Sequence, residues 1–156
     1  MSPRLSPPAP SGRSRRRLQW TLAALAAIPL ASASREMVLG PQGVPGGSPD
    51  VTPTVDSALR YANAFKFAVG PVIWSQLGRV ERSPSLTYAL SSIFVGGLTR
   101  LRSWQQRGRP HPVTVGAVVL EIAAPPLLIA WQRRILSRST RMERGRPAPS
   151  GAERNR

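Results

Sequence analysis

VTVGAVVLEIAAPPLLIAW, residues 113–131, carries one formal charge, Glu121, near its middle. At ~1.5 Å rise per residue, about 20 predominantly apolar residues cross a hydrocarbon core ~30 Å thick. The stretch reads as a membrane-spanning helix, and the rest of the chain repeats its pattern of apolar run and arginine cluster.

Upstream, a basic loop at 102–112 separates this run from residues 85–101, which carry no charge from Ser85 through Thr99. Before that lies a predicted helix at 55–77, to be capped by Thr52 or Thr54 and containing Asp56, Arg60, Asn63 and Lys66. It is the least apolar of the set. The first run, 18–39, is rich in Ala and Leu and is stopped by Gly40, Pro41 and the Gly/Pro-rich segment that reaches Pro53. Residues 1–17 and 137–156 are Arg/Ser/Pro tails with almost nothing to bury, a disordered composition. The expectation is an all-α integral membrane bundle of four transmembrane helices, occupying 18–136, between two disordered basic tails.

A mean hydropathy of -0.17 and a net charge of +15 suggest a soluble basic protein until the charges are located. They lie almost wholly outside the apolar runs. With both ends in the cytoplasm, fifteen arginines fall on the inner side and six on the outer, so the positive-inside bias favours that multi-pass orientation in a cell membrane. Arginine tails beside membrane spans are expected to anchor the topology and touch anionic lipid headgroups, the bilayer being the partner; nucleic acid is not expected, and no protein partner is indicated. A competing reading takes Ser14-Arg15-Arg16-Arg17-Leu18 as an export signal with a small-residue cleavage site at Ala31-Ser32-Ala33.

The chain has no cysteine and one histidine, His111, so disulfides, thiolate chemistry and Cys- or His-cluster metal sites are excluded. No metal, cofactor or catalytic residue is expected. The glycines of 40–47 lack the lysine of a phosphate loop.

Four segments together resemble a known family: Val55-Asp56-Ser57-Ala58-Leu59-Arg60-Tyr61, Gly96-Gly97-Leu98-Thr99-Arg100-Leu101-Arg102-Ser103, Gly108-Arg109-Pro110-His111-Pro112 and Glu121-Ile122-Ala123-Ala124-Pro125-Pro126. They look like the bacterial membrane family catalogued as domain of unknown function 4345, across about 18–136. The resemblance implies a small bundle of four membrane helices and supplies no activity. The long tails are additions to that pattern, and Lys66 is not part of it.

Charges within the spans are the candidates for function. A carboxylate inside hydrocarbon is costly, so Glu121 should face the bundle interior. Pro125 has no N–H, which leaves the Glu121 carbonyl without its usual helical partner. One carboxylate and the freed carbonyls at a kink suit either a structural bend or a proton or small-cation site. Counting inward by helical rise puts Lys66 at the depth of Glu121, so either the two pair or Lys66 snorkels outward; Asn63 and Pro125 complete the candidate intramembrane polar site. Nearer the outer face, Asp56, Arg60, Arg100 and Arg109 form a candidate charge cluster, read as helix-end ion pairs or as an anion pocket. Gly96 and Gly97, with Ser92, offer a small-residue face for close helix approach. The leading class is an accessory, sensor or small-solute permeation component, with a lipid- or anion-binding membrane module as runner-up.

Overall fold

The computed structural model describes residues 10–144, and these are all-α. Helices α1 (Pro10–Leu39), α2 (Pro53–Gln76), α3 (Pro84–Arg107) and α4 (Pro112–Arg144) are joined with short 3-10 turns at Gly40–Gly43 and Leu77–Arg79. Each helix opens on a proline, whose missing N–H costs nothing in a first turn. The Thr52 hydroxyl caps α2 by accepting from the Val55 N–H at 3.4 Å, and the Ser83 hydroxyl caps α3 by accepting from the Leu86 N–H at 3.1 Å. Helix α1 stops where Gly40 takes φ +59°, and a Cβ there would collide with Asp56 and Arg60.

The helices outrun the expected bounds. Helix α3 continues to Arg107, through much of the basic segment read as loop, and α1 and α4 run into the stretches read as tails. Arginine and glutamine are good helix formers, and at the N-terminal side tertiary contacts hold the extra turns. The Trp131 indole N–H donates to the Ser14 hydroxyl at 2.9 Å, while Arg15 donates to the Gly78 carbonyl at 2.6 Å and pairs with Glu81 at 3.1 Å. The remaining tail residues, 1–9 and 145–156, lie outside the described residues.

Among the described residues two helices, not four, are long and apolar enough to cross a membrane: Gly12–Gly43 and Pro112–Ser137. Only 22% and 17% of their apolar windows are buried inside the protein. Helix α2 falls short through Asp56, Arg60, Asn63 and Lys66, and α3 through its serines, threonines and Arg100.

The packing divides the bundle into two antiparallel hairpins. Helix α1 packs most extensively on α2, and α3 on α4. A glycine permits each close approach: a Cβ on Gly70 would press the Ala26 carbonyl at 3.1 Å, and one on Gly97 would meet the Glu121 Cβ at 2.9 Å. The hairpins meet chiefly at one end. There Leu18 and Leu22 of α1, Ile73 of α2, Val80 of the connecting segment, Leu86 and Leu90 of α3, and Leu128 and Ile135 of α4 form the buried core. Toward the other end the buried residues are mostly small or polar, namely Ala33, Glu36, Gly40, Gly43, Asn63 and Gly97, with Val118 and Pro125 the larger apolar members. Large apolar side chains draw the hairpins together at the first end. Their scarcity at the second lets the hairpins part.

Candidate functional site

The parted end encloses a cavity of about 950 Å³ lined by all four helices. Its floor is apolar, set by Leu22, Ile73, Leu90 and Leu128 of the core. Above the floor stand two acid–base pairs, one in each hairpin. Lys66 donates to Glu36 Oε1 at 2.8 Å across α1 and α2, and Arg100 lies 3.4 Å from Glu121 Oε1 across α3 and α4. All four side chains line the cavity.

Side-chain direction explains these pairings. Side chains on a helix lean toward its N-terminus. In antiparallel neighbours, Glu36 and Arg100 therefore reach toward the floor while Lys66 and Glu121 reach toward the mouth. Each couple closes the axial gap between its Cα atoms. The pairs are only partly sheltered: side-chain exposures are 23% for Lys66 and 10% for Glu36, against 38% for Arg100 and 23% for Glu121.

The expected Lys66–Glu121 pair is therefore not formed. The two residues do share a cavity, and Lys66 and Glu36 both act electrostatically on Glu121. The depth count located both residues, but a counter-ion within each hairpin is nearer than one across the cavity. Pro125 is buried beside Glu121 and lines the same space. Asn63 does not join them: it is 3% exposed and donates to the Leu59 carbonyl of its own helix at 3.0 Å.

The candidate outer cluster also separates. Asp56 pairs with Arg60 at 2.9 Å, and Arg60 donates onward to the Met37 and Val38 carbonyls, tying the last turn of α1 to α2. A cation on orphan C-terminal carbonyls is the favourable arrangement there. Arg100 belongs to the Glu121 pair instead. Arg109 lines the cavity mouth together with Arg35 and Arg107, and none of these three makes an ion pair among the described residues. Arg35, Glu36 and Arg107 escape a hydropathy reading because each sits at a helix end. Their shared signal is that all three mark the same side of the bundle.

Chemically, the site presents five cations against two carboxylates at and below the mouth, over an apolar floor. The carboxylates are occupied by Lys66 and Arg100, which leaves the mouth suited to an anion. Glu121 Oε2 is buried without a hydrogen-bond partner in the structure. Among the described residues no three His, Cys, Asp or Glu side chains gather as metal ligands.

Residues 17–132 match the family model described as Domain of unknown function (DUF4345). No curated protein and no solved structure matches the chain.

Proposed function

The chain belongs to the domain of unknown function 4345 family, and from that premise, which carries no activity, we propose that it is a multi-pass membrane protein whose interhelical cavity binds an anion at the membrane surface. All four helices cross the bilayer in this reading. Helices α2 and α3 lower their hydropathy with residues turned inward, Lys66 and Arg100 onto the cavity and Asn63 into the packing. Their outward faces carry Tyr61, Val72 and Trp74 on α2, and Tyr88, Val95 and Leu98 on α3, all at least 40% exposed. Both helices have 24 residues, ~36 Å at the usual rise, enough for a ~30 Å core.

The observation that carries the binding role is the mouth: Arg35, Arg107 and Arg109, without carboxylate partners among the described residues, over a cavity closed below by leucine and isoleucine. Basic pockets between membrane helices recognise acidic headgroups by this means. Small-solute permeation, one of the leading roles the sequence suggests beside accessory and sensor functions, has less support because the packed core obstructs a continuous path. Among the described residues no nucleophile–base couple lines the cavity, and this reading assigns it to binding.

The topology has a direct check. With both ends cytoplasmic, a reporter active only outside the cytoplasm is expected to work when fused after residue 45 and to be silent after residue 82 or at the C-terminus. Activity at the C-terminus would reverse the orientation.

The anion role is read by thermal unfolding of the purified full chain in a maltoside detergent. Dioctanoyl phosphatidylglycerol is expected to raise the midpoint more than dioctanoyl phosphatidylcholine, since a ligand at a hundred times its Kd stabilises by about 2.7 kcal/mol. Combining Arg35→Gln, Arg107→Gln and Arg109→Gln should remove that preference, whereas Arg133→Gln with Arg134→Gln at the opposite end should leave it. A preference that survives the triple substitution refutes the site.

A further inference from the structure

Resting on the anion-binding reading, we infer that the cavity's occupant is a glycerophospholipid: its phosphate lies among Arg35, Arg107 and Arg109, its glycerol and ester at the two ion pairs, and one acyl chain runs down to the floor. Three layers are stacked along the cavity in the order of that molecule's chemistry.

Arg35, Arg107 and Arg109 line the mouth, none of them in an ion pair among the described residues, and a guanidinium matches phosphate oxygens in charge and in donor geometry. Below them, Glu36–Lys66 and Arg100–Glu121 make a layer with no net charge but with both donors and acceptors. A hydroxyl and an ester carbonyl, uncharged and polar, suit that layer; a second phosphate would not gain there. Beneath it the wall turns apolar through Val69, Ile93 and Ala124. From Glu121 to Leu128 on α4 is ~10 Å of axial rise, and from Arg100 to Leu90 on α3 is ~15 Å. One leaflet's share of a ~30 Å hydrocarbon core is ~15 Å, so the apolar depth fits a single acyl chain rather than a small anion.

The walls also supply a way in. Ile28, Phe65 and Leu120 line the cavity yet are 50%, 61% and 39% exposed, so the space opens sideways between the hairpins. A lipid reaches the site from the bilayer through that gap, and a second chain stays outside in the hydrocarbon.

The test removes one layer of the ligand at a time. The full chain in maltoside is titrated with 1-acyl lysophosphatidate, with dodecyl phosphate (no glycerol ester), with glycerol 3-phosphate (no chain) and with monoacylglycerol (no phosphate). Lysophosphatidate is expected to bind about tenfold or more tighter than each of the others, about 1.4 kcal/mol per tenfold step. A blocking variant, Gly96→Phe, separates the layers within the protein, because Gly96 lines the cavity and a Cβ there meets nothing within 4 Å. It should keep the wild-type thermal midpoint, weaken lysophosphatidate about tenfold and leave glycerol 3-phosphate unchanged. The combined Arg35, Arg107 and Arg109 to Gln variant should weaken lysophosphatidate and spare monoacylglycerol.

If lysophosphatidate depends on the arginines but binds no tighter than glycerol 3-phosphate, and Gly96→Phe has no effect, this inference falls while the anion site stands. Dodecyl phosphate equal to lysophosphatidate likewise overturns the glycerol layer and with it the inference. Lysophosphatidate binding indifferent to the arginines removes both.

Discussion

Lys66→Met is expected to destabilise the bundle by about 3 kcal/mol, because it leaves the Glu36 carboxylate buried without its counter-ion. Glu36 is 7% exposed as a residue, and its Oε1 takes the Lys66 ammonium at 2.8 Å. Adding Glu36→Gln should restore much of the loss, since a neutral amide is far cheaper to bury than an unpaired charge. The coupling energy between positions 36 and 66 then stands well above zero. Lys66→Met combined with Glu121→Gln should instead be additive to within about 0.5 kcal/mol, as the direct partner of Glu121 is Arg100. Unfolding followed by circular dichroism in maltoside gives all four corners of each cycle. Coupling larger for 66 with 121 than for 66 with 36 would contradict the hairpin-by-hairpin pairing.

Two adjacent glycines should respond oppositely to the same substitution. Gly97→Val is expected to cost about 3 kcal/mol, because its Cβ alone would stand 2.9 Å from both the Glu121 Cβ and the Ile122 Cγ1, and α3 and α4 must separate to admit it. Gly96→Val meets nothing within 4 Å at its Cβ and should be neutral or stabilising, since most residues exceed glycine in helix propensity by a few tenths of a kcal/mol. Parting α3 from α4 also pulls Arg100 from Glu121, so the Gly97 loss should shrink when Glu121→Gln is already present. Equal effects at the two positions would show that the helix contact is not where the structure puts it.

The small-residue face of α3 was visible in the sequence, but which glycine makes the contact was not. Consecutive residues point about 100° apart around a helix, so Gly97 meets α4 while Gly96 faces the cavity. A threonine cap on α2 was legible for a local reason, though not which of Thr52 and Thr54; Thr52, just before Pro53, is the one whose hydroxyl satisfies an N–H of the first turn. The Arg60 brace onto Met37 and Val38 was not, because its acceptors lie on another helix.

From the sequence alone follow the four helical runs, the stop of the first at Gly40 and Pro41 and the apolar character of residues 113–131. These are one-dimensional properties: periodicity, composition and rise per residue. Tertiary structure decided the remainder. It set each acid beside the base of its own hairpin, because antiparallel neighbours lean their side chains toward one another. It also packed the large apolar residues at one end and left Arg35, Arg107 and Arg109, from three separate parts of the chain, around the cavity at the other. No local pattern records that convergence, since it depends on how far apart two hairpins stand.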